Sequence, residues 1–365
     1  MSKRVFNFSP GPAVLPLPVL EEVQRDMLCL PGEGVSVLEI SHRAPWFDQV
    51  LAETEANLRK LLSIPSNYRV LFMQGGSRLQ FAMTPMNLLG GASGPASYIV
   101  TGSWGKMAEE EARKFGPTHV AYSSKATNFD RLPESGELKL DPKAAYVQFT
   151  SNETIQGVQF LDEPRVGDAP LVCDASSDFL CRPLPMERYG LIYACAQKNS
   201  GPAGVTIAII RDDLLERSSD KLPTMLNYKA IAAENSLVNT VPVFAIYVVM
   251  LVTRWLDKHI GGLDNMLAIN RKKAKVVYDA VDSSGGFYQP HARKQDRSLM
   301  NVTFRMRDDK TQADFLKQAE ARGLTYLKGH RSVGGVRASI YNAMPMEGVE
   351  RLAEFMGEFA TKAGR

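Results

Sequence analysis

Two residues, each set just after a short apolar run, carry the clearest chemistry in this sequence. In Tyr193-Ala-Cys-Ala-Gln-Lys198-Asn-Ser-Gly-Pro-Ala-Gly204, a strand-like run delivers Lys198 to a turn rich in small residues. Lysine is rarely buried without a partner, so at such a position it is a candidate Schiff-base nucleophile. The plainer alternative is a surface lysine in a glycine-rich loop. Asp174 ends the run Leu171-Val-Cys and opens Asp174-Ala-Ser-Ser177. Alone it reads equally well as a helix N-cap.

Taken together, the two residues point to one cofactor. A carboxylate at one strand end and a lysine at another can face the same crevice. Pyridoxal phosphate needs an aspartate to keep its pyridine nitrogen protonated and a lysine to hold its aldehyde. A phosphate site is also on offer in Gln74-Gly-Gly-Ser-Arg78, which joins a strand to a helix. Free backbone N–H groups at a helix start bind anions, and glycines allow close approach. The same five residues also make a common turn. Trp104, after Thr101-Gly-Ser, can stack on a flat ring or pack as an ordinary core tryptophan.

Other motifs are missing. There is no Walker A sequence, no H-E-x-x-H and no G-x-S-x-G, and the glycine doublets do not complete a dinucleotide fingerprint. The four cysteines, 29, 173, 181 and 195, form no C-x-x-C pair and have no histidine at ligand spacing. They read as buried thiols in a reducing, cytoplasmic setting, with no metal.

The elements that must position these residues follow from periodicity. Helical spacing is expected over 47–62, 77–89, 104–115 and 241–255. Short apolar strands are expected at 69–73, 97–100, 119–122, 146–149, 171–173, 191–194 and 205–210. Runs of this kind, buried on both faces, belong to an α/β fold with a mostly parallel sheet covered by helices. Such sheets bind ligands beyond the carboxyl ends of their strands. After Gly261-Gly262 the pattern becomes α+β: a long amphipathic helix from Leu263, a strand at 299–304, a helix at 312–322, short strands near Tyr326 and 336–340, and a terminal helix from Met346. We therefore expect a large domain over residues 16–260 and a smaller α+β domain from 1–15 and 261–365.

A chain of 365 residues is long enough for two cores. Net charge is +3 with both signs interspersed, which gives no basic face for nucleic acid. The N-terminus lacks the apolar stretch of a secretory signal. The longest apolar run, 241–252, is too short for a membrane span, which needs about 20 residues, and reads as a buried helix.

Several stretches match a known family in order. They are Phe6-Asn-Phe-Ser9 with Gly11-Pro12, Ile40-Ser-His-Arg43, Gln74-Gly-Gly76 with Gln80-Phe81, Asn152-Glu-Thr154, and Ala196-Gln-Lys-Asn199 with Gly201-Pro-Ala-Gly204. Asn239-Thr240, Lys328-Gly-His-Arg331 and Arg337-Ala-Ser-Ile-Tyr-Asn-Ala-Met-Pro345 complete the set. Over nearly its whole length the chain resembles the phosphoserine aminotransferases, class V pyridoxal-phosphate enzymes of fold type I.

The resemblance implies roles. Lys198 would bind the cofactor and shuttle the proton, Asp174 would pair with the ring nitrogen, and Trp104 would stack on the ring. Ser77, Arg78 and Gln197 would hold the phosphate, and Thr154 would hydrogen-bond near the ring. Asn239 and Thr240 would reach the phosphate of the neighbouring subunit in a homodimer. Arg337 would bind the substrate α-carboxylate, with His42, Arg43, His330 and Arg331 around the distal anion. Guanidinium donors accept phosphate or carboxylate, so one site can serve both half-reactions. These would join O-phospho-L-serine and 2-oxoglutarate to 3-phosphohydroxypyruvate and L-glutamate, in serine biosynthesis. Some relatives also act on 4-phosphohydroxy-L-threonine in pyridoxine biosynthesis.

Pro10, Ser77, Leu79 and Ala175 depart from the family pattern, and Pro10 puts one substrate contact in doubt. The rival readings are another class V enzyme, such as alanine–glyoxylate aminotransferase or cysteine desulfurase, and a non-catalytic protein that keeps the fold.

Overall fold

The computed structural model describes residues 4–364. Residues 1–3 and 365, which fall in the segments assigned above to the second domain, lie outside the described residues. Seven strands form the main sheet, in the order Tyr68–Met73, Thr206–Arg211, Tyr189–Cys195, Leu171–Asp174, Tyr146–Thr150, Ala96–Val100 and Thr118–Ser123. Six of them run in one direction, while Thr206–Arg211 is antiparallel to both neighbours. The cause is the tight connection through residues 196–205, which pairs Cys195 with Thr206. A parallel return would need a longer crossover. The central strands are buried on both faces: every residue of Tyr189–Cys195, Tyr146–Thr150 and Leu171–Asp174 is buried.

The helix Val243–Trp255 is buried from Ala245 to Thr253 and packs against the helix Pro45–Leu62. No helix among the described residues is long and apolar enough to cross a membrane. Three helices were not expected: the short Asp212–Leu215 and Tyr228–Ala233, and Leu17–Asp26, whose Pro18 stands in the first turn. Proline is well suited to that position, because the N–H it lacks has no helical partner there.

A second apolar core gathers Phe8, Val277, Val281, Val302, Phe304, Phe315, Leu352 and Phe355. It is built from a three-stranded sheet, which includes Asn301–Arg305 and Val336–Ser339, and from the helices Asp309–Ala321 and Met346–Lys362. The helix Leu263–Asp282 serves both cores: Leu263 and Met266 pack on the large one, Val277 and Val281 on the small one. Phe6–Asn7 pairs in parallel with Leu324–Thr325, which ties the N-terminal segment to the smaller core.

Candidate active site

The carboxyl ends of the parallel strands open onto one cavity of about 490 Å³, within the usual size for a small-molecule site. Each of five strands adds a piece of wall. Gly75 to Arg78 follow the first, Trp104 follows Ala96–Val100, and Thr150, Asn152, Thr154 and Ile155 come at the end of Tyr146–Thr150. Asp174, Ser176 and Ser177 close Leu171–Asp174, while Cys195, Gln197 and Lys198 close Tyr189–Cys195. His330 and Arg337 reach in from the segment that builds the second core, and Pro10 and Gly11 from the N-terminal segment.

At the cavity's centre, Lys198 Nζ donates to Thr154 Oγ1 over 2.9 Å and lies 5.6 Å from the Trp104 ring centroid. Asp174 is buried, and its carboxylate accepts from the Ser176 backbone N–H at 3.0 Å and from the Ser176 hydroxyl. Burial pushes the Asp174 pKa up, against the pull of Ser176 and the Lys198 charge. Gly75, at φ +89°, starts the helix Gly76–Leu88. A Cβ there would stand 2.4 Å from Leu79, so the turn admits only glycine. The Ser77 hydroxyl bonds that of Ser176, which joins the helix start to the Asp174 turn.

Arg337 lies on the strand Val336–Ser339 and is 7 % exposed. Its Nη1 donates to the Thr154 carbonyl at 3.4 Å, while Nε has no partner among the described residues. Burial lowers its pKa, and no carboxylate offsets it. An unpaired buried guanidinium is costly, and an incoming carboxylate relieves that cost. His330 is lowered as well, first by burial and then by Arg337 and Arg331.

These features fit pyridoxal phosphate. A buried carboxylate can face a ring nitrogen and a lysine can face an aldehyde. An indole flanks the space between them, and a glycine-led helix start suits a phosphate. Of the residues singled out in the sequence, Ser77, Arg78, Trp104, Thr154, Asp174, Gln197, Lys198, His330 and Arg337 line the cavity. Five others do not. His42 and Arg43 precede the helix Pro45–Leu62, the first buried and the second exposed. Arg331 and Thr240 are exposed, and Asn239 Oδ1 accepts from Gln74 Nε2 at 3.4 Å.

Sequence reasoning passed over Ser176, although its place two residues after Asp174 was a signal. It also gave Glu153 no role. The reading of all four cysteines as buried fails at Cys29, which is exposed on the turn after the helix Leu17–Asp26.

Comparison with known proteins gives a consistent result. The model of the family described as aminotransferase class-V matches residues 5–352. The phosphoserine aminotransferase of Rhodopirellula baltica is 53% identical, over 99% of this chain and 96% of that protein. The structure of phosphoserine aminotransferase from Bacillus circulans subsp. alkalophilus superposes with TM-score 0.96 at 48% identity, over the full length of both chains. That of PLP-bound phosphoserine aminotransferase from Trichomonas vaginalis gives 0.91 at 39%, covering 97% of this chain and 99% of that one. With the family model spanning nearly all of its length, the chain belongs to the class-V aminotransferases.

Proposed function

We propose that this enzyme is a pyridoxal-phosphate-dependent phosphoserine aminotransferase. It moves an amino group reversibly between O-phospho-L-serine and 2-oxoglutarate, giving 3-phosphohydroxypyruvate and L-glutamate. The observation that carries the reading is the convergence of Lys198, Asp174 and the unpaired Arg337 on one cavity. When bound, the cofactor supplies an electron sink for the bond-breaking at the substrate Cα.

The chain's own residues do the rest. Lys198 would hold the cofactor and carry the proton at the substrate Cα, with Thr154 fixing its amine. Asp174 would keep a proton on the ring nitrogen, Trp104 would cover the ring, and Ser77, Arg78 and Gln197 would bind the phosphate. Arg337 takes the substrate α-carboxylate. His330 stands on the wall beyond it, with Arg331 next in sequence, where a distal anion needs donors.

A homodimer completes this reading. His42, Arg43, Asn239 and Thr240 lie off their own chain's cavity, so a second subunit is needed to bring them to it. The three buried thiols fit a reducing compartment and support a cytoplasmic setting.

The test is an absorbance titration of purified protein with phosphoserine and no keto acid. The expected result is loss of the yellow band of lysine-bound cofactor and its return on adding 2-oxoglutarate. A band that phosphoserine leaves unchanged would discard the substrate and keep the cofactor.

A further inference from the structure

Glu153 is completely buried beside this cavity, and its carboxylate is spent on a helix end. Oε2 accepts from the Trp104 backbone N–H at 3.0 Å and Oε1 from that of Gly105 at 2.8 Å. The helix Ser103–Ala112 needs this, because its N-cap residue is Gly102 and provides no side-chain cap. Gln156 completes the arrangement: its Oε1 accepts from the Ser103 N–H at 3.2 Å and its Nε2 donates to Ser103 Oγ at 2.7 Å. The approach is close enough that a Cβ on Gly102 would lie 2.3 Å from the Glu153 carboxyl carbon. The next residue is Thr154, whose hydroxyl receives Lys198 and whose carbonyl receives Arg337.

We propose that Glu153 is a positioning residue, which caps the helix starting at Ser103 and so holds the Trp104 indole in register with Lys198 and Arg337. This rests on the roles assigned above to Lys198 and Trp104. The capped form is the carboxylate, since protonation turns one acceptor oxygen into a hydroxyl. Burial pushes the Glu153 pKa up to about 7; the two backbone N–H groups oppose this, the Asp174 charge adds to it, and Lys198 opposes it. The cap therefore weakens as pH falls through neutrality.

Glu153→Gln keeps one acceptor and turns an amide N–H₂ toward the other backbone N–H. With bound cofactor, it should slow the phosphoserine half-reaction about five- to tenfold, leave KM nearly unchanged, and remove the acidic limb of the rate profile. The second readout needs no turnover. Tryptophan emission of the full chain, with cofactor and after its removal, is titrated through neutrality beside Trp104→Phe and Glu153→Gln. The unaltered chain should show a step that both variants lack. A step that persists in Glu153→Gln, or an unaltered chain without a Trp104-dependent step, overturns the proposal. The second comparison decides even if Glu153→Gln does not fold. An unaltered protein that takes up the cofactor without showing any lysine-bound band would instead count against Lys198, and the emission arm would still judge Glu153.

Discussion

Thr154 Oγ1 accepts the Lys198 ammonium over 2.9 Å, while the same residue's carbonyl accepts from Arg337. The amine proposed to hold the cofactor and the guanidinium proposed to hold the substrate thus share one residue. Thr154→Val removes the hydroxyl, keeps the shape and leaves the carbonyl in place. A net hydrogen bond is worth about 0.5–1.5 kcal/mol, so the transfer rate should fall about two- to tenfold with little change in KM. Stopped-flow reading of the phosphoserine half-reaction checks this. A KM change with an intact rate would place Thr154 on the substrate instead.

Arg337 offers a sharper separation of roles. Arg337→Lys keeps the charge and loses the planar fork that matches a carboxylate. Because phosphoserine and glutamate share the α-carboxylate, KM for both should rise together, by about ten- to a hundredfold, with a smaller effect on kcat. Steady-state kinetics on the two donors decide it. A rise confined to phosphoserine would move Arg337 to the distal anion.

How much of this was legible in the sequence depends on the range of the contact. The strand ends at Asp174 and Cys195 could be read because apolar runs buried on both faces have a local signature. The glycine turn at Gly75 was equally local. Glu153 was not legible as a cap, because the helix it serves begins at Ser103 and only the fold brings the two together. The reversed strand Thr206–Arg211 escaped for a similar reason, since apolar content carries no direction. The helix Leu17–Asp26 was missed although Pro18 in its first turn is a local signal for a helix start. Cys29 was misplaced because composition says nothing of one residue's exposure.

Lys273 yields a prediction on stability. Its ammonium, on the helix Leu263–Asp282, is buried and donates to the carbonyls of Ile340 (3.1 Å), Tyr341 (2.6 Å) and Asn342 (3.2 Å). No carboxylate among the described residues faces it, and burial lowers its pKa from 10.5 to about 7. A depressed folded-state pKa means that the unfolded chain binds the extra proton between those two values. The contribution to stability is then full above the unfolded pKa and lost as pH falls through the folded one. Relative to Lys273→Met, the unaltered protein should therefore gain stability as pH rises from about 7 toward 10, by at most about 1.4 kcal/mol per pH unit. Urea midpoints of both proteins across that range test it. A flat difference would show that the three carbonyls hold the proton throughout.

The proposed sharing of the site between two subunits makes the strongest prediction. Arg43 is exposed and off its own chain's cavity, whereas Lys198 lines it. If Arg43 serves the partner's cavity, Arg43→Ala and Lys198→Ala each abolish most turnover as separate homodimers. Unfolded together and refolded as a mixture, they form heterodimers in which one site draws Lys198 from the first variant and Arg43 from the second. That site is intact, and the opposite site lacks both residues. Random pairing in a two-fold dimer then restores about a quarter of the unaltered protein's sites. Recovery to that level, with phosphoserine as donor, supports the trans arrangement. A mixture no more active than its two components would show that Arg43 serves its own chain's site and not the partner's.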